Sequence, residues 1–144
     1  MNTQIQALLD KENVGVLSVL LPDGSPHVSA MHYSYSAEPF RIFVQTALPT
    51  NKTWHFERDG DTVKGAFVVG LSENDWVTLQ VRGDVSLVRD PARLEEITKI
   101  HYAKFPHAEE YRDSGNVFLE IVPNWSRYSD FKTKPKTVIR HIGE

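Results

Sequence analysis

A succession of short strand-like runs, each closed by a turn, constrains this chain more than any other feature. The stretch from Asp23 to Lys52, DGSPHVSAMHYSYSAEPFRIFVQTALPTNK, sets the pattern. Pro22-Asp23-Gly24-Ser25 joins a residue with a preset backbone angle to one that accepts a positive φ, which makes a tight turn. Ahead of it lies VGVLSVLL. Behind it, His27 to Tyr35 alternates, with Val28, Ala30 and His32 on one face and Ser29, Met31 and Tyr33 on the other. The two runs are expected to pair as a hairpin. Neither face of the second run is purely apolar, so one of them is expected to meet something besides core. Ala37-Glu38-Pro39 makes another turn, and Phe40 to Gln45 alternates again as a third strand.

The same reading extends to both ends. Ile5, Leu8 and Leu9 fall at helical spacing, so a short amphipathic helix is expected first. A second helix is expected to open near Asn51, followed by a strand in VKGAFVV. WVTLQVRGDVSLV is the longest strand signal, with Val77, Leu79 and Val81 facing one way; Gly83 inside it marks a bulge or bend. Asp90-Pro91 supplies a capping carboxylate and a first-turn proline for a helix that carries Leu94, Ile97, Ile100 and His101 on one stripe and ends before Pro106. NVFLEIVP reads as the last strand, and the basic, aromatic tail beyond it shows no clear periodicity. About six strands joined by turns, with helices at the margins, predict a mainly β, antiparallel barrel in one domain spanning residues 1–144.

Composition sets the outer limits. A net charge of -3 with mixed signs argues against a general nucleic-acid binder. No apolar run approaches the roughly 20 residues of a membrane span. MNTQIQALLDKENV lacks the basic-then-apolar layout of a secretory signal, and with no cysteine the expectation is a cytoplasmic protein without disulfides or thiol chemistry.

Motifs for chemistry are sparse. Six histidines show no ligand spacing, and His27 and His32 lie on opposite strand faces, so surface or packing roles are expected. No nucleophile elbow, Walker loop or dinucleotide fingerprint is present. One local signal stands out. Lys52 falls in the first turn of a predicted helix, where a cation opposes the helix dipole. Either an anion shares the site, held by helical N–H groups, Thr46, Thr50 and Lys52, or the lysine is simply solvated. Trp125, Tyr128 and Phe131 in the tail fit either a ligand cover or a strand cap, and Arg127, Lys132, Lys134 and Lys136 either meet an anion or are solvated.

The order of these features is more specific than any one of them. A strand, an Asp-Gly turn, a Pro-His-Val-Ser strand, a strand ending Val44-Gln45-Thr46, a lysine-opened helix and a long strand reaching Val81-Arg82-Gly83-Asp84-Val85 resemble the pyridoxamine 5'-phosphate oxidase-like family of FMN-binding split barrels, over about Val14 to Val122. The resemblance implies a six-stranded split barrel, a homodimer with flavin at the subunit interface, and oxidoreductase activity on a small molecule. It implies phosphate contacts from Gln45, Thr46, Asn51 and Lys52, a flavin ring along Val28, Ser29, Ala30 and Met31, and a polar residue from the partner subunit, for which Thr78 is the nearest match. The chain departs from the pyridoxamine-phosphate oxidases in three places. The arginine that opens their flavin strand is missing, Asn51 stands where an arginine precedes the lysine, and Arg127-Tyr128-Ser129 lacks the histidine of their Arg-x-His motif. A lone lysine grips phosphate less firmly than an Arg–Lys pair. The alternatives are an F420-dependent reductase on the same barrel, a flavin- or haem-binding module without turnover (His101, His107 and His141 being nominal axial ligands), and a dimeric barrel with no cofactor.

Overall fold

The computed structural model describes residues 1–47, 62–111 and 115–142. The helix expected at Asn51 lies outside the described residues, together with Thr50 and Lys52. The chain opens with α1 (Thr3–Lys11), whose free N–H groups at Gln4 and Ile5 are capped by the Asn2 side chain. Strands β1 (Val14–Leu20) and β2 (Pro26–Ser36) form the expected hairpin, with Leu20 opposite Pro26. Gly24, at a φ of 86°, takes the left-handed turn position that a side chain would disfavour. Then follow β3 (Arg41–Ala47), β4 (Thr62–Val69) and β5 (Val77–Leu87). Next come α2 (Pro91–Lys104), a 3-10 turn (Pro106–Tyr111), β6 (Asn116–Asp130) and β7 (Thr137–Ile142).

The strand order is β3-β2-β1-β4-β5-β6-β7, and β3 also pairs with β6, so six antiparallel strands close a barrel and β7 is added outside the ring. Closure leaves fewer unpaired edges than an open sheet would expose. Alternate residues fill the interior: Leu17 and Val19 of β1, Tyr33 of β2, Ile42 and Val44 of β3, Leu79 and Val81 of β5 and Ile121 of β6 are all buried in one cluster. The apolar side of α1 (Ile5, Leu8 and Leu9) joins that cluster, at roughly 1.5–3 kcal/mol for each fully buried aliphatic side chain. Helix α2 packs elsewhere. Its Ile97 lies against Phe43 and Phe118 on the outer side of β3 and β6, and Arg93 ties the helix to Glu120 of β6 by an ion pair. Asp90 caps α2 by accepting from the Arg93 N–H at 3.0 Å, as its Asp-Pro start led one to expect.

The tail differs from the sequence reading. Strand β6 does not stop at Pro123 but runs on to Asp130, and β7 pairs with its second half. Between β5 and β6 the register steps from Arg82↔Trp125 to Gly83↔Pro123, so Asn124 is an extra, bulged residue. A proline is tolerated there because the ladder is already interrupted. Gly83 is required on the facing strand, since a Cβ would sit 2.0 Å from the Val122 carbonyl oxygen.

Candidate functional site

The site arises where β2 and β3 part. Strand β2 pairs with β1 along Pro26–His32, but it pairs with β3 only from Tyr33 to Ser36. Beyond Val44, strand β3 has left it: Gln45, Thr46 and Ala47 are opposite Phe118, Val117 and Asn116 of β6. Among the described residues, therefore, the first seven residues of β2 have a ladder on one side only. In an antiparallel strand every second residue turns its N–H and C=O away from a given neighbour, so this stretch offers an unused row of donors and acceptors.

A cavity of about 650 Å³ occupies the gap, within the size range of small-molecule sites. Ser29, Ala30 and Met31 of β2 and Gln45 of β3 line it on one side, and His101, Lys104 and Phe105 from the end of α2 line it on the other. The Ser29 hydroxyl oxygen is buried and has no hydrogen-bond partner. A buried orphan of this kind costs free energy unless something else supplies the bond.

The α2 wall is built around a buried histidine. His101 is only 2% exposed, and its Nδ1 lies 2.8 Å from the Oγ of Ser34, itself 1% exposed. The rings of Phe105 and Phe118 pack against the imidazole, each with centroids 5.1 Å away. Burial, then the charges of His32 and Lys104, pushes its pKa down to about 4, so the ring is neutral at physiological pH. Lys104 is also perturbed, its pKa lowered to about 8 chiefly by burial. Its ammonium donates to the carbonyls of Leu9 (3.0 Å) and Glu12 (2.7 Å) and sits 3.9 Å from the centroid of the Tyr33 ring. Those carbonyls are at the end of α1, where the helix dipole favours a cation. Lys104 thus joins α1 to α2.

The expected site residues divide into three groups. Ser29, Ala30, Met31 and Gln45 are brought together at the cavity, although the Gln45 amide already donates to the Tyr102 hydroxyl at 2.8 Å. Val28, Thr46 and Thr78 are not. Val28 is 60% exposed on the outer side of the barrel, while Thr46 follows Gln45 on the opposite strand face and is buried. Thr78 lies on β5, separated from β2 by β1 and β4, and its hydroxyl donates to the Val69 carbonyl at 3.2 Å. Asn51 and Lys52 lie outside the described residues. Ser34, Lys104 and Phe105 were not anticipated, and His101 was read as part of a helix stripe and as a nominal haem ligand. The pairing of Ser34 with His101 spans 67 residues and leaves no local mark. Among the described residues, no three His, Asp or Glu side chains converge as a metal site needs. No helix among them is long and apolar enough to cross a membrane.

A closed antiparallel barrel with a cavity where β2 and β3 part defines a fold class rather than a reaction. The family model described as pyridoxamine 5'-phosphate oxidase matches residues 1–130, and the chain belongs to that family. No curated protein matches. Solved structures share the fold. One is a protein from Clostridium acetobutylicum related to general stress protein 26 of B. subtilis, of the pyridoxinephosphate oxidase family (14% identity, 95% of this chain and 92% of that one, TM-score 0.66). Another is a haem-binding protein from Mycobacterium smegmatis (16% identity, 94% and 55%, TM-score 0.72). A third is an FAD-binding protein from Mesorhizobium loti (16% identity, 88% and 92%, TM-score 0.62).

Proposed function

We propose that this protein binds FMN in the split between β2 and β3 and works as a flavin-dependent oxidoreductase on a small molecule. The observation that carries the reading is the one-sided ladder of β2 above the cavity, with the unpartnered Ser29 hydroxyl beside it. These features suit the polar edge of an isoalloxazine ring, which needs donors and acceptors in one plane. In this reading, backbone groups along Val28, Ser29, Ala30 and Met31 hold the ring edge, and Met31 with Phe105 excludes water around it. Gln45, Thr46, Asn51 and Lys52 take the phosphate end, with Lys52 supplying the charge. When bound, the flavin supplies the electron chemistry, so the chain needs no acid–base pair of its own.

The proposal includes a homodimer in which Thr78 reaches the partner's site. Its support is exposed apolar side chains on the outer face: Val14 (38% exposed) and Leu20 (43%) of β1, at its two ends, and Val28 (60%) of β2, opposite Ser18. Such a patch marks a contact surface more often than bare surface. A deazaflavin such as F420 presents a similar ring edge and would use the same strand. A haem-binding module is the second reading, supported by the neutral imidazole of His101 in the cavity wall and the shared fold of the M. smegmatis protein.

The test is a visible spectrum of the purified protein, before and after adding FMN and dialysing, with the mass in solution measured in parallel. A retained flavin band in a dimer is expected. A colourless protein that keeps no FMN contradicts the FMN assignment, and F420 and hemin are then titrated in turn.

A further inference from the structure

We propose that His101, held by Ser34, is a specificity-determining contact: its free ring nitrogen is a hydrogen-bonding group that the α2 wall offers to a planar heterocycle lying along β2. The inference rests on the reading above and adds the second wall of the site.

Two N–H groups of the Lys104 ammonium go to the carbonyls of Leu9 and Glu12, and across the cavity one N–H of the Gln45 amide goes to Tyr102. His101 differs. Its Nδ1 is bonded to Ser34, yet among the described residues no partner engages Nε2. Nor is Nε2 an orphan sealed inside the protein, because the atoms buried without a partner are Ser29 Oγ and Arg127 Nε. His101 lines the cavity, so Nε2 is the atom it has left for a ligand.

Ser34 makes this nitrogen adaptable. A hydroxyl both donates and accepts, and a neutral imidazole carries its proton on either nitrogen. If Ser34 donates to Nδ1, then Nε2–H is a donor for a ring carbonyl. If Nδ1–H donates to Ser34, then Nε2 is an acceptor for a ring N–H. A heterocycle with an imide edge presents both kinds of group. The aromatic rings of Phe105 and Phe118 fix the plane of the imidazole, so this choice of proton is the one freedom the pair keeps. Burial, then His32 and Lys104 beside the ring, disfavour a second proton on it.

The test is a titration of FMN, followed by flavin fluorescence and visible absorption, into the full chain and three variants. His101→Phe keeps the ring volume and removes the nitrogen, and FMN affinity should fall about tenfold or more, the scale of one buried hydrogen bond. His101→Gln, which keeps a polar atom, should recover most of that loss. Ser34→Ala should give an intermediate loss, with the flavin band of each variant shifted from that of the parent. If His101→Phe binds FMN with the parent's affinity and band, the inference fails while the flavin reading stands. If the parent binds no FMN, both fall. A Soret band on adding hemin that His101→Phe abolishes would assign the nitrogen to iron and overturn the hydrogen-bonding role. Should His101→Phe not fold, Ser34→Ala decides, and an unchanged FMN affinity there overturns the proposal.

Discussion

The two halves of β2 are built from one strand and treated in opposite ways. From Tyr33 to Ser36, the closed half, it pairs with β3, the Tyr33 N–H also donates to the Asn13 carbonyl at 3.2 Å, and Tyr33 and Ser34 are almost wholly buried. From Pro26 to His32 only β1 is beside it, and Val28, Ala30 and His32 are exposed. The closed half contributes to stability. The open half keeps donors, acceptors and one buried hydroxyl unused, which is a cost that a ligand can recover. The difference comes from β3, which leaves β2 after Val44 to follow β6.

Substitutions in the two halves should therefore separate stability from binding. The largest effect is expected in the closed half. Tyr33→Ala empties a fully buried site and removes the bond from its hydroxyl to the Leu9 carbonyl at 2.8 Å, so urea unfolding should show a loss of roughly 3–5 kcal/mol.

Next comes the pH dependence at the boundary between the halves. The pKa of His101 falls from 6.5 unfolded to about 4 folded, so between those values the unfolded chain binds the extra proton. Its contribution is fully present above pH 6.5 and is lost as the pH falls toward 4, by at most about 3 kcal/mol. Denaturant midpoints measured across that window should fall in the parent, and His101→Gln should remove this part of the fall.

In the proposed phosphate end, Lys52→Ala should weaken FMN binding by about 1–3 kcal/mol and leave the unfolding midpoint alone. The smallest stability effect belongs to the open half. Ser29→Ala deletes a hydroxyl with no partner, so the free protein should be unchanged or more stable by up to about 1 kcal/mol, while FMN binds less well. A clear loss of stability in Ser29→Ala would mean that the two halves do not differ as described.

Much of the barrel was legible in the sequence. Alternation in β2, β3 and β5, the Asp-Gly turn, the Asp-Pro cap of α2 and the Gly83 irregularity are local signals with direct physical causes, and each appears as expected. The second half of β6 was hidden because Pro123 reads as a strand end, and only the bulge at Asn124 lets the strand continue. Strand β7 has six residues and finds its place only against that hidden half. The candidate site was legible in part. Ser29, Ala30, Met31 and Gln45 do meet at one cavity, whereas Val28, Thr46 and Thr78 do not join it within one chain. The α2 wall was not legible, because Ser34 and His101 are neighbours in space through packing of α2 across the barrel, and no spacing in the chain encodes that.

The measurement that bears most directly on the contrast is backbone hydrogen exchange of the full chain with and without saturating FMN. Added FMN should slow exchange in peptides covering residues 26–32, with little change over 33–36, which pairs with β3 and keeps Tyr33 and Ser34 buried away from the cavity. If FMN binds and leaves exchange across residues 26–32 unaltered, the open half of β2 is not the place where the ligand is held.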